Sequence, residues 1–451
     1  MKKPFKILGT LLAMCLVAAA CGSDSDSSDG GAATTEAPDT TEVDDTAEAD
    51  DTADTTEAAD PDAGSGGDGA MGTEETLVIG YVLPQTGALS AIIDALVKPS
   101  EMAVEEINAA GGNVSLIPGD SGTDVNIASA TVDALINDDV SVILGPAGTS
   151  VTLGVIDKIT GSGIVECSGS TTGSVFSTYD DGGFYFRTSP PDSIQGPVLA
   201  DLMTDDGVSS VGVIYRNDEY GVGFNESLVA GLEANGVTVA AQVALDPSAT
   251  SFDAEIGEIA AAGVDSIVLI TFAEGAAVMQ GMIEAGVGPD DVAVYVTDGF
   301  KDAVTAEGVN PDDLSVLEGV RGTAPSAAPA DGEPGFLDRL EAFAPGTPTI
   351  FSGHFYDCVN VMALAALAAG SIDSADIVGE MLTVTNDGEE CISYEACATI
   401  LAAGGDINYQ GASGLVDLND VGEPTSGAYD IYTYDAEGTA VTEDQISLTI
   451  G

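Results

Sequence analysis

The sequence predicts an α/β protein built of two consecutive arrays that face each other across a cleft. Three observations carry this reading. Short apolar runs of strand length alternate with helical stretches ending in glycine, the pattern of βαβ units and parallel sheets. The same pattern restarts after a break at "RTSPPDS". The chain has 451 residues, enough for two domains once its polar N-terminal part is set aside.

The first element is a leader. "MKKPFK" is basic and "ILGTLLAMCLVAAA" is a run of about fourteen apolar or small residues. That run is too short for a bilayer core of ~30 Å, which takes roughly 20 helical residues. Its layout is that of a secretory signal peptide over residues 1–20. Ala18, Ala19 and Ala20 before Cys21 resemble a bacterial lipobox, which implies cleavage before Cys21 and lipidation of that residue. An ordinary signal peptide cut near the same place is the alternative. Residues 21–73 are mostly Asp, Glu, Thr, Ala, Ser and Gly and hold no aromatic residue. Such a segment buries too little apolar surface to offset its ordering entropy, so an extended acidic tether is expected.

The first array follows. "TLVIGYVLP" is a strand closed by Pro84, and "GALSAIIDALVKPSEMAVEEINAAGG" has helical spacing up to Gly111 and Gly112. The strand "VSVILGPAG", the helix "TSVTLGVIDKITGSG" and the strand "GIVECSG" complete it. The second array runs from "PVLADLMTDDGV" through the strand "SVGVIYRND", the helix "VGFNESLVAGLEANG" and the strand "VTVAAQVAL". It continues with "DAEIGEIAAAGV", "DSIVLITFA", "GAAVMQGMIEAGV" and "VAVYVTDG". Ligands of open α/β sheets sit beyond the carboxyl ends of the strands. The loops that matter are therefore "LPQTGALS", "GPAGTS", "CSGSTT", "RNDEYG", "TFAEG" and "TDGF".

Composition excludes several function classes. The formal net charge is −65, with 10 Lys plus Arg against 75 Asp plus Glu. Nucleic acid is excluded as a partner, because phosphate binding needs clustered cations. Membrane contact is expected only through the lipid on Cys21. No catalytic residue is expected. His354 is the single histidine, no Gly-x-Ser-x-Gly elbow precedes a helix, and no Gly-x-x-x-x-Gly-Lys loop occurs. Neither a metal nor a cofactor is expected, since no Cys-x-x-Cys spacing is present. In an exported chain, Cys391 and Cys397 around "CISYEAC" read as a local disulfide. Cys167 and Cys358 are a further candidate pair, whose connectivity spacing does not fix.

The ordered series "IGYVLPQTGAL", "AVEEINAAGG", "VSVILGPAGTS", "YRNDEYGVGF" and "GHFYDCVNVMALAALAAG" resembles the type I periplasmic binding proteins. Within them it is most similar to the branched-chain amino acid binding family of ABC importers, over roughly residues 75–434. The resemblance implies two Rossmann-like lobes with parallel central sheets, joined by a three-segment hinge. Its expected boundaries are 74–189 plus about 323–410 for the N-terminal lobe, and 190–322 plus about 411–451 for the C-terminal lobe. It implies a monomer outside the cytoplasm that closes on a small molecule and delivers it to a permease with its ATPase subunits. A separate receptor of a sensory system is the alternative client, and urea or short amides are alternative ligands.

Carried over by position, the resemblance places a ligand carboxylate on Ala147, Gly148 and Thr149 and on Gly169, Ser170 and Thr171. Ser150 and Thr172 read equally well as helix caps. Tyr220, the apolar Phe272 and Asp298 are expected from the second lobe, with Asp298 facing an ammonium and Glu274 as its rival. The "TGALS" neighbourhood offers Leu89, Ser90 and Ala91 where the family often has an aromatic wall, so that wall is expected either to be missing or to be supplied elsewhere, for instance by Phe351 or Tyr356. A structural role is expected for His354.

Overall fold

The computed structural model describes residues 72–449. The expected signal peptide, the lipidated Cys21 and nearly all of the 21–73 tether lie outside the described residues.

The first sheet is wholly parallel, with β1 (Leu77–Tyr81), β2 (Val114–Ile117), β3 (Val142–Leu144), β4 (Val165–Ser168) and β5 (Tyr185–Arg187) in the order β2-β1-β3-β4-β5. Strand β3 is buried along its length, as a parallel strand covered by helices on both faces must be. The second sheet begins with β6 (Ser210–Arg216), β7 (Thr238–Leu245), β8 (Ser266–Ile270), β9 (Ala293–Val296) and β10 (Arg321–Pro325), parallel in the order β7-β6-β8-β9-β10. A small sheet of β11 (Glu389–Cys391), β12 (Ile407–Gly411) and β13 (Gly414–Leu415) comes next. The chain then returns to the second sheet, where β14 (Ser426–Tyr434) and β15 (Ala440–Thr449) add antiparallel to β10.

The helices end as the glycine pattern demands. Gly263, Gly286 and Gly370 cap three of them in the left-handed conformation. The helix Ser352–Ala369 packs on the helix Ile93–Ala109 and on β4, and is buried from Ser352 through Ala366. Burial on all sides explains why its sequence shows no polar stripe.

All of β10 belongs to the second sheet, so the chain leaves that sheet after Pro325, against an expected crossing at about 323. The final return comes at Ser426, well after 411, because the β11–β13 sheet intervenes. Both cysteine pairs are bonded: Cys167 joins β4 to the helix Ser352–Ala369, and Cys391 joins Cys397.

Strand alternation places Cys167 on one face of β4 and Glu166 on the other. Glu166 is fully buried and neither carboxyl oxygen has a hydrogen-bond partner. Asp357 is the opposite case: it is equally buried but accepts from Tyr409, Ala412 and Ser413. Burial, helped by the charge of Asp181, pushes the Glu166 carboxyl well above the usual range. The native state therefore keeps the proton while the unfolded chain releases it above about pH 4.3. Stability is lost as pH rises from that point, by about 1.4 kcal/mol per pH unit until the native pKa is reached. Glu166→Gln, which cannot ionise, is expected to match wild type near pH 4 and exceed it at pH 7 in urea unfolding. Equal pH slopes for the two proteins would contradict this.

Candidate functional site

In the order β2-β1-β3 successive strands are added on opposite sides of β1, and in β7-β6-β8 on opposite sides of β6, so the strand order reverses at each of these points. Crevices at such reversals, outside the carboxyl ends of the strands, are where open α/β sheets hold ligands. Here the loops following β1, β3 and β4 meet those following β6, β8 and β9. The cavity between them is lined by Leu89, Ile92, Gly148, Thr149, Ser170, Thr172, Tyr220, Phe272, Asp298, Gly299 and Phe351.

The first-lobe side is built of neutral donors. Gly148, at φ 90°, caps the helix Thr149–Thr160, a backbone shape that a side chain would strain. Thr149 begins that helix, and its hydroxyl accepts from Gly173 N at 3.1 Å, leaving its own proton to donate. The approach is close: a Cβ on Gly173 would stand 2.3 Å from Thr149 Cγ2. The Ser170 hydroxyl is buried and unpartnered. The helix dipole adds positive potential at the same place, so an anion is favoured here.

The second-lobe side is acidic and aromatic. Asp298 accepts from Tyr220 Oη at 3.0 Å and from Gln195 Nε2 at 3.0 Å. Burial pushes its carboxyl up to about 6, against the pull of those two bonds. Behind it, Asp192 is fully buried and neither oxygen makes a hydrogen bond of good geometry. Burial and the charge of Asp298 push Asp192 well above the usual range, with Thr172 and Arg187 acting the other way. Leu89, Ile92, Phe272 and Phe351 form the apolar wall.

All seven lysines and arginines among the described residues sit in ion pairs with carboxylates. None of them lines the cavity. An anionic group entering it meets hydroxyls and backbone N–H groups, and a cationic group meets Asp298. That combination suits a zwitterion.

Of the nine expected residues, Gly148, Thr149, Ser170, Tyr220, Phe272 and Asp298 line the cavity, whereas Ala147, Gly169 and Thr171 stand behind it. Thr171 needs correction. Its hydroxyl is fully buried in a network with Thr152, Ser168 and the Pro146 carbonyl, so it braces the loop, and Thr172 takes the lining position. Gly169 is a packing glycine, since a Cβ there would stand 2.7 Å from Phe355 Cδ2. Ala147 is buried in the core. Glu274 is taken up by Arg216, and Tyr356 by Glu106, so neither lines the cavity. His354 is buried, with its carbonyl accepting from Thr188, and burial lowers its pKa to about 3.

Ile92 and Arg187 carried no sequence signal for this site, whereas Leu89 and Gly299 lie in the expected "TGALS" and "TDGF" loops without having been assigned a lining role. Arg187 donates to the carbonyls of Thr171 and Gly173 at 3.1 and 2.8 Å and pairs with Glu423. It holds the loop that carries Thr172.

The cavity measures ≈ 20 Å³, room for about one water and far below the roughly 300–1,000 Å³ of pre-formed ligand sites. Across its mouth, Glu219 N donates to Ser150 Oγ at 3.2 Å, linking the start of one helix in each lobe. The lobes are closed on each other.

Comparisons with known proteins agree with this architecture. The profile of a family described as periplasmic binding protein matches residues 76–393. A Leu/Ile/Val-binding protein homolog 3 from Brucella melitensis is 24% identical over 370 residues, covering 80% of this chain and 91% of its own. Among solved structures, the branched-chain amino acid transporter substrate binding protein LivJ of Streptococcus pneumoniae, in complex with isoleucine, superposes with a TM-score of 0.68. It is 20% identical and covers 83% of this chain and 100% of its own. An ABC transporter solute binding protein of R. palustris, in complex with 4-hydroxybenzoate, gives a TM-score of 0.66 at 15% identity, covering 83% and 98%.

Proposed function

Because the chain belongs to the periplasmic binding protein family, we propose that its interlobe cleft captures an α-amino acid, branched-chain or related, for an ABC importer. Membership implies an extracytoplasmic body that binds a solute and does no chemistry on it. The carboxylate seats on Gly148, Thr149, Ser170 and Thr172 at the positive end of the helix Thr149–Thr160. The ammonium seats on Asp298 beside Tyr220, a charge-assisted bond of the stronger sort in a dry cleft. Leu89, Ile92, Phe272 and Phe351 receive the side chain. Admission requires the lobes to part and close again, a hinge motion that removes the ligand from water. Lipidation at Cys21 and the acidic tether would hold the body near the permease.

One observation carries the reading: a buried carboxylate stands opposite neutral donors in a cavity that no cation lines. An aromatic acid is the second reading, favoured by the apolar wall and the 4-hydroxybenzoate relative. Asp298 weighs against it, since benzoates bring no cation to that carboxylate.

A thermal-shift screen of the purified protein tests the reading against the amino acids, short amides, urea and benzoate. A true ligand at a hundred times its Kd stabilises the fold by about 2.7 kcal/mol. Leucine, isoleucine or valine is expected to raise Tm. A response to benzoate alone, or to urea and amides alone, would replace the proposed ligand class.

A further inference from the structure

Behind the acidic wall, a guanidinium that lines no part of the cavity is tied to it through two rings. Arg216 ends β6, its side chain almost fully buried. Its Nε donates to Asp218 Oδ2 at 2.8 Å and its Nη1 to Glu274 Oε1 at 2.6 Å. The guanidinium carbon lies 4.0 Å from the centroid of the Phe272 ring. That ring stacks on Tyr220 at 5.1 Å and 24°, and Tyr220 Oη donates to Asp298.

The partners of Arg216 also hold the backbones that carry the rings. Glu274 Oε1 accepts from Phe272 N at 3.0 Å, and Asp218 Oδ1 accepts from Gly221 N at 3.0 Å, which fixes the turn bearing Tyr220. The contact there is tight: a Cβ on Gly221 would stand 2.1 Å from the Arg216 carbonyl oxygen. A planar, delocalised cation can serve both carboxylates and still sit over a ring at once.

We infer that Arg216 is a positioning residue of the binding site, setting the Phe272–Tyr220 pair in the orientation from which Tyr220 and Asp298 meet the ligand. The inference rests on the cleft's proposed role as an amino-acid site. It also gives Glu274 a role, as the anchor of this buttress rather than as a ligand to the ammonium.

The test compares Arg216→Lys and the double variant Arg216→Met/Glu274→Gln with wild type. Lysine keeps the charge for the two carboxylates but not the guanidinium that sits over the Phe272 ring. The double variant removes the cation without stranding Glu274. Three readouts are used: urea unfolding, the aromatic ¹³C NMR resonances of Phe272 and Tyr220 without ligand, and leucine affinity by calorimetry. Both variants are expected to fold, to shift both rings' resonances, and to bind leucine about tenfold or more weakly, a loss exceeding what their stability explains. Unmoved ring resonances with wild-type affinity would overturn the inference. So would failure of both variants to fold, which would make Arg216 a structural residue only. If wild-type protein ignores leucine, the proposed ligand falls, and the ring resonances decide the role of Arg216 by themselves.

Discussion

Asp298→Asn is expected to weaken amino-acid binding by roughly 2–5 kcal/mol, a hundredfold or more near the middle of that range, because it strands an ammonium in a closed cleft. The same variant is expected to leave the ligand-free protein at least as stable at neutral pH. Burial raises the Asp298 pKa to about 6, so native stability is lost as pH rises from the unfolded value of about 3.9 up to about 6, and the cost is fully present at neutral pH. Asparagine removes this cost and the repulsion with Asp192 while keeping an oxygen for Tyr220 and Gln195. Function and stability should therefore move in opposite directions, as they do where a site is built against its own stability. In wild type, affinity should fall as pH drops below about 6, where Asp298 takes a proton and no longer attracts an ammonium. Calorimetric titrations at several pH values, with parallel urea unfolding, check both parts. A variant that binds normally would remove Asp298 from the site.

Arg187→Ala should be the most destabilising substitution near the cleft. The Arg187–Glu423 pair is buried, with side chains 1% and 9% exposed. Glu423 lies in the segment that leads back to β14, and Arg187 Nη1 supports two carbonyls of the 171–173 loop. Removing the arginine leaves a buried carboxylate without its cation and two carbonyls without their donor, a loss of about 3–5 kcal/mol. Because the pair is shielded from solvent, added salt should change the loss little. The double variant Arg187→Ala/Glu423→Ala should lose less than the two singles summed. A wild-type urea midpoint for Arg187→Ala would refute the assignment.

The fold was legible because its signals are local. Strand-length apolar runs, glycines closing helices and the restart after "RTSPPDS" each need only a short window of sequence. The loops of the site were legible for a related reason: in parallel sheets they follow the carboxyl ends of strands, so finding β3, β4, β6, β8 and β9 found them. Within a loop the reading was less secure. Thr171 and Thr172 are chemically alike and adjacent, and one step along the chain turns a side chain from the cavity into a buried network. The Arg187–Glu423 pair and the Arg216–Phe272 stack were not legible, since they join residues far apart in sequence. Phe351 was named as a substitute wall from the lack of an aromatic near Leu89. Its φ of 58°, which turns the chain into the helix Ser352–Ala369, was visible only in the structure.

The central claim is that the cleft recognises an ammonium and a carboxylate together. The most direct measurement is calorimetric titration of wild-type protein with leucine and with 4-methylpentanoate, which keeps the carboxylate and side chain but lacks the amine. Saturable binding of leucine, with the desamino analogue weaker by two orders of magnitude or more, is the predicted result. Equal binding of the two acids, or a preference for the analogue, would contradict it and make the cleft a site for simple carboxylates.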